Sequence, residues 1–358
     1  MTDSFVTVGK PKRKVDGLAI VRGKPVYTPD YDMPDALVVK LLRSPHAHAL
    51  VKNIETEQAK LINDVVDIFT FSDVERIPYT RAGQGYPEPS PYDTFLLDRK
   101  VRYVGDPVAI VAAKTEKAAK DALRNIKVEY EILDAVLEMK EATKEGAPII
   151  HDESECAGVY DKSRNIAAHY EMDLGDVEET LKTCDVVIER TYHIDTQLHA
   201  ALEPHNALTY LDSVGRLIVI TSTQVPFHCR RILSHIFNKP IADIRVIKPR
   251  IGGGFGGKQS VIVEPYAALV TIKTGKPARI TYTREEVSMA TNIRHEMSFD
   301  VTVGAMRDGK IKAISLHGIS NTGAYGEHSL TTFMVSGSKT LPLYNKVEAV
   351  HFGGDIVY

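Results

Sequence analysis

Apolar residues along this chain fall mostly into short runs of strand length rather than long helical stripes. Gly17-Leu18-Ala19-Ile20-Val21 and Leu37-Val38-Val39-Lys40-Leu41-Leu42 are two such runs, set apart by turns at Pro25 and Pro34, and open a strand-rich first domain. Val101 to Ala112 reads as a strand pair folded about Gly105-Asp106-Pro107. An alanine-rich helix follows, with Thr115 as its N-cap and Ala118, Ala119, Ala122 and Leu123 on one face. Between about residues 136 and 166 the pattern turns polar and broken, with Gly146-Ala147-Pro148 and His151-Asp152-Glu153, which predicts a linker. Beyond it, Val186 to Ile194 and Leu217 to Thr223 are β-branched strands, and Pro226 starts a helix ending near Phe237-Asn238. Ile244-Arg245-Val246-Ile247 predicts another strand, and Val261 to Lys273 a mostly apolar helix interrupted early by Pro265. The mixture is α+β rather than doubly wound, without internal repeats or low-complexity segments.

Size adds domain number: 358 residues exceed the length at which a single core stops growing, so two or more domains are expected. The 44 Lys and Arg against 47 Asp and Glu leave a formal charge of -3, giving no general attraction for nucleic acid or anionic lipid. No apolar run approaches the roughly 20 residues of a membrane helix, and Met1-Thr2-Asp3-Ser4-Phe5 lacks signal-peptide character; a cytoplasmic, soluble chain is expected. Cys156, Cys184 and Cys229 are odd in number and far apart, which argues against a disulfide framework or a CxxC metal site and for structural thiols. The chain stops at the apolar run Gly354-Asp355-Ile356-Val357-Tyr358, as a piece of a longer polypeptide or one subunit of a split one would.

Candidate chemistry concentrates in Gly252-Gly253-Gly254-Phe255-Gly256-Gly257-Lys258. Strand, glycine turn and helix N-terminus together form a generic anion site, since glycines permit positive φ and free N–H groups point at the ligand. On the residues alone three readings stay open. Gly252-x-Gly254-x-x-Gly257 fits a dinucleotide fingerprint, although Lys276-Pro277-Ala278-Arg279 stands where an acidic residue is wanted. Gly252-(x4)-Gly257-Lys258 nearly completes a P-loop, but Gln259 replaces the hydroxyl that would hold magnesium. A turn that only lets a helix pack on a strand is the third.

Around the loop stand Thr221-Ser222-Thr223-Gln224, Arg230-Arg231-Ile232-Leu233, Leu202-Glu203-Pro204-His205 and Ser320-Asn321-Thr322-Gly323-Ala324-Tyr325. Nearer the start are Val15-Asp16-Gly17, Arg43-Ser44-Pro45-His46-Ala47-His48 and Gly105-Asp106-Pro107-Val108-Ala109. With these, nearly all of residues 12–358 resembles the molybdenum hydroxylases, the xanthine dehydrogenase and aldehyde oxidase family. The resemblance implies a small hammerhead-type α/β domain over 12–136, a linker over 137–165, and over 166–358 the first part of a mixed α+β molybdopterin-binding domain, incomplete at its C-terminus.

In that family molybdenum is held by the dithiolene of a molybdopterin, with the cytosine dinucleotide as one of its forms. Gln224 matches the glutamine whose amide donates to an oxygen on the metal, and Phe255 the residue whose backbone N–H does the same. Gly253, Gly254 and Gly256 complete the implied cofactor cradle. Gln259 matches the substrate-orienting position and, able both to donate and to accept, implies a purine or related N-heterocycle, with an aldehyde or nicotinate as alternatives. Glu203 with His205, and His46 with His48, could be metal pairs but are expected to orient neighbouring segments. No catalytic residue is expected in this segment: the general-base glutamate and an arginine-containing glycine segment would lie beyond Tyr358. Implied partners are a C-terminal molybdopterin-binding half, an iron-sulfur subunit and an FAD subunit, without which these residues should not turn over. A non-catalytic module holding a phosphate-bearing ligand is the competing reading.

Overall fold

In this computed structural model, residues 5–24, 26–31, 33–82 and 89–358 are described. Fifteen strands are found among them, in chain order β1 (Leu37–Arg43), β2 (Ala49–Glu55), β3 (Val65–Phe69), β4 (Lys100–Val101), β5 (Pro107–Ala113), β6 (Lys127–Ile132), β7 (Ile166–Leu174), β8 (Val186–Ile194), β9 (Asn206–Leu211), β10 (Leu217–Thr221), β11 (Ile244–Ile247), β12 (Ala278–Thr281), β13 (Glu296–Ala305), β14 (Ile311–Asn321) and β15 (Ala349–Val357). They form three sheets, ordered β11-β10-β9-β12-β1-β5-β3, β7-β15-β14-β13-β8 and β4-β2-β6. The α+β class expected from the sequence is the class observed.

The seven-stranded sheet joins the early and late halves of the chain, because β1 pairs in parallel with β12 through Leu37 and Ala278. β5 is buried at every position, for a reason visible in its alternation. Ile110 and Ala112 face one core with Leu37, Val39 and Leu41, whereas Ala109, Val111 and Ala113 face a second core with Ala118, Ala119 and Ala122. Those last three lie on the helix Glu116–Asn125, where the Thr115 hydroxyl accepts from Ala118 N (3.1 Å), the expected cap. In the five-stranded sheet the core is aromatic: Phe333 stacks on Phe299 and Phe352.

Several sequence expectations are corrected. Gly17–Val21 is a short helix, and Pro25 lies outside the described residues, as do Met1 to Ser4. Residues 101–112 are no hairpin: β4 pairs with β2, and β5 with β1 and β3. The turn between them is tied to β1 instead, with Gly105 N donating to Ser44 O (2.9 Å) and Ser44 N to Asp106 O (2.8 Å). The late helix runs Glu264–Thr274, with Pro265 in its first turn rather than interrupting it. Between the two expected domains, and without bearing on where they divide, the stretch 137–165 carries a helix, Met139–Ala142, and a buried Asn165 whose amide donates to Ala142 O and Pro148 O and accepts from Ile150 N.

Candidate functional site

β10 and the helix Pro226–Ile236 are joined by a turn that carries Gln224 onto the glycine loop. Gln224 N donates to Lys258 O (2.8 Å), and the side-chain Oε1 accepts from Gly256 N (3.1 Å) and Lys258 N (3.2 Å). Two donors on the oxygen fix which way the amide faces; its Nε2 has no hydrogen-bond partner among the described residues. Position 254 has to be glycine for this clasp, because a Cβ there would lie 2.5 Å from Gln224 Oε1.

Both ends of the loop are pinned from below. Glu203 Oε2 accepts from Gly252 N (2.7 Å) and from Lys258 Nζ (2.8 Å), while His205 Nε2 donates to Gly257 O (2.8 Å). The expected orienting role of Glu203 and His205 is therefore the one observed. Lys258 is buried, which lowers its pKa against the opposing pull of Glu203, and its ammonium is turned into the protein. A P-loop lysine must reach phosphates, so that reading fails.

The dinucleotide reading fails on the helix. Its first turn begins at Glu264, seven residues past Gly257, and Glu264's own carboxylate accepts from Ile262 N, Val263 N and the Thr221 hydroxyl. With a carboxylate buried in its first turn, that N-terminus is a poor seat for a pyrophosphate. The free donors are in the loop itself: Gly253, Gly254 and Phe255 N–H have no acceptor among the described residues. Gly253 (φ 99°), Phe255 (φ 54°) and Gly256 (φ 99°) are left-handed, the backbone that forms an anion-holding concavity. Gly256 N–H is engaged by Gln224, so Gly256 shapes the cradle without donating into it.

Beside the loop lies a cavity of about 350 Å³ lined by Gln259, Gly256, His199, Arg81, Glu327 and His328 among others. Its wall contains an ion pair, Arg81 Nη1 to Glu327 Oε1 (3.5 Å), and the Ser260 hydroxyl donates to Glu327 Oε2 (2.9 Å). Glu327 sits at φ 25°, a strained conformation for a non-glycine residue. Burial lowers His199 and His328 and pushes His295 down to about 4, so the cavity's histidines are neutral at pH 7.

The structure thus brings Gln224, Gly253, Gly254, Phe255, Gly256 and Gln259 together, and places His46 and His48 elsewhere: His46 packs edge-on against Tyr130, and His48 Nδ1 lies 2.6 Å from Asp134 O. Sequence reasoning missed Arg81, Glu327, His328 and His199. A faint signal existed in Glu327-His328, two residues past the Ser320–Tyr325 stretch already noted.

Residues 159–358 match the molybdopterin cofactor-binding domain, and residues 22–134 the a/b hammerhead domain of aldehyde oxidase and xanthine dehydrogenase. The chain is 38% identical to the probable hypoxanthine oxidase XdhD of Escherichia coli O157:H7, across 96% of this chain and 38% of that protein. It is 33% identical to the nicotinate dehydrogenase large molybdopterin subunit of Eubacterium barkeri, across 92% of this chain and 73% of that one. In fold it is similar to the aldehyde oxidoreductase from Desulfovibrio gigas, with a TM-score of 0.84 at 22% identity, over 96% of this chain and 38% of that one. The chain therefore spans about two fifths of the length of the hypoxanthine oxidase relative. No helix among the described residues is long and apolar enough to cross a membrane.

Proposed function

The chain belongs to the xanthine dehydrogenase and aldehyde oxidase family of molybdenum hydroxylases, and from that premise we propose that it acts within a molybdenum-binding subunit that hydroxylates a purine or related N-heterocycle with water-derived oxygen. The observation that carries this reading is the Gln224 clasp, an amide held by its oxygen with its nitrogen left as a donor. Beside it stand the N–H groups of Gly253, Gly254 and Phe255, without acceptors among the described residues. A neutral, preorganised donor set fits oxo and phosphate oxygens, and adds no charge to compete with charge developing in a reaction. Gln224 Nε2 and Phe255 N–H would donate toward the metal centre, while Gly253 and Gly254 would allow close backbone approach by the pterin, in plain or cytosine dinucleotide form. Once bound, the molybdenum cofactor supplies the two-electron redox centre.

Gln259 lines the adjoining cavity, where its amide, able both to donate and to accept, would orient a ring that does the same. The relative whose name carries hypoxanthine favours a purine; the nicotinate relative keeps a pyridine in view. A second molybdopterin-binding half, an iron-sulfur subunit and an FAD subunit would complete the electron path.

Metal and pterin analysis of the native complex, followed by hydroxylation assays on hypoxanthine, xanthine, nicotinate and simple aldehydes, tests the reading. Molybdenum, pterin and a purine preference are expected. Absence of both molybdenum and pterin would overturn the cofactor assignment, whereas a preference for nicotinate or aldehydes would overturn the substrate alone.

A further inference from the structure

A second set of convergent groups lies in the segment 151–156, which carries no part in the loop site. One ligand atom each from His151, Glu153 and Cys156 falls within 4.8 Å of the other two. Glu153 Oε2 is 4.0 Å from His151 Nδ1 and 3.8 Å from Cys156 Sγ. His151 is 1% exposed and Cys156 4%.

The hydrogen bonding sets the form of each group. His151 Nε2 is 2.7 Å from Ala324 O, an acceptor, so Nε2 carries the proton and Nδ1 the lone pair. That Nδ1 is buried and has no hydrogen-bond partner among the described residues. Metal-binding histidines are oriented in this way, one nitrogen tied to a carbonyl and the other presented to the ion. Burial, with Arg102 nearby, lowers the His151 pKa and keeps the ligating neutral form. Glu153 Oε1 accepts from Arg102, leaving Oε2 toward His151 and Cys156.

Charge around the site is nearly balanced before any ion enters. Arg102 is also paired with Asp98 (3.2 Å), Lys100 Nζ lies 3.9 Å from Glu153 Oε1 and 2.7 Å from Asp152, and Lys162 Nζ donates to Glu153 O. Asp93 adds negative charge near Cys156. A mixed N, O and S set selects a borderline-soft divalent ion. Bonds of roughly 2.0 to 2.3 Å put tetrahedral ligand atoms about 3.3 to 3.7 Å apart, so Glu153 needs to approach each partner by less than about 1 Å, and His151 and Cys156 to approach each other by up to about 1.5 Å.

We propose that His151, Glu153 and Cys156 bind a zinc-type divalent cation. Binding releases the Cys156 thiol proton to solvent and fixes the 151–156 segment between Arg102 on one side and Ala324 on the other.

Cobalt(II) added to the full chain tests this, since it reports its ligands by colour. One equivalent should give a thiolate-to-cobalt charge-transfer band and tetrahedral visible bands, both displaced by zinc. Cys156→Ser should abolish the charge-transfer band and the rise in Tm that zinc gives the wild-type chain, while Cys184→Ser leaves both intact. Should Cys156→Ser fail to fold, Glu153→Gln, which keeps the side chain's shape, is expected to weaken cobalt binding at least about tenfold. No thiolate band in the wild-type chain, an undiminished band in folded Cys156→Ser, or unchanged affinity in Glu153→Gln would each overturn the proposal.

Discussion

The ends of the glycine loop and its apex are built on opposite principles. At the ends, Gly252, Gly257 and Lys258 are tied down by a carboxylate, an imidazole and the Gln224 amide, all reaching from outside the loop. At the apex, Gly253, Gly254 and Phe255 keep their N–H groups without acceptors among the described residues. Rigidity is supplied where no ligand is needed, so that the donors at the apex hold their positions without partners of their own. Substitutions at the ends should therefore act on folding, and substitutions at the apex or on Gln224 on cofactor retention.

The sharpest break is Glu203→Ala. It leaves the Lys258 ammonium, whose side chain is 1% exposed, without its carboxylate, and breaking one side of such a pair costs about 3–5 kcal/mol. Urea unfolding should show a loss of this size, and Glu203→Ala/Lys258→Met should recover much of it. A loss under about 1 kcal/mol would mean the ammonium finds water in the folded chain, and the loop ends are less dry than described.

Acid should attack the ends next. His205 is buried, its Nε2 donates to Gly257 O and its Nδ1 has no hydrogen-bond partner among the described residues; burial, aided by Lys258, pushes it down to about 4 from 6.5. A folded-state pKa below the unfolded one means the unfolded chain takes up the proton first. The His205 contribution is then complete above pH 6.5 and is lost as pH falls from 6.5 to about 4, at up to about 1.4 kcal/mol per pH unit. Unfolding measured across pH 7 to 4 should give a shallower slope in His205→Gln than in the wild-type chain, and equal slopes would remove His205 as the sensor.

How much of this was legible beforehand differs between the same two regions. The apex could be read from local residues: the glycines and Phe255 are adjacent in sequence, and the spacing to Gln224 completes the pattern. The role of Glu203 and His205 was read correctly, but their partners, 49 and 52 residues away, became visible only in the fold. Arg81 and Glu327 are 246 residues apart, a separation at which no periodicity signals a contact. The supposed hairpin at 101–112 failed for a similar reason, since alternation marks a strand without naming its neighbour, and Gly105 binds back to Ser44. The helix start was misplaced because Pro265 suits a first turn and the Glu264 carboxylate holds Ile262 N and Val263 N in the non-helical chain just before it, features that an apolar count overlooks.

Gln224→Ala should divide the two regions cleanly. It removes the donor amide and leaves Gly256 N and Lys258 N without their acceptor. Groups that position metal-ligating atoms typically change affinity 10- to 100-fold, so molybdenum content at limiting cofactor should fall by about that factor. Tm should fall by only a few degrees, because the ends keep Glu203 and His205. Full molybdenum content in folded Gln224→Ala would detach the clasp from the cofactor.

The smallest effect is expected at Phe255, and its sign is the informative part. The residue is 66% exposed and held at φ 54°, a conformation that costs a non-glycine residue about 1–2 kcal/mol. Phe255→Gly relieves that strain and loses little burial, but gives back about 0.5–1 kcal/mol as chain entropy in the unfolded state. The second offsets much of the first, so stability should stay level or rise by up to about 1.5 kcal/mol. The backbone N–H is unchanged, and molybdenum content should stay at the wild-type level if that group, rather than the ring, faces the cofactor. Loss of molybdenum with stability intact would move the contribution to the phenyl ring, and a fall in stability beyond about 1 kcal/mol would make the apex a structural anchor like the ends.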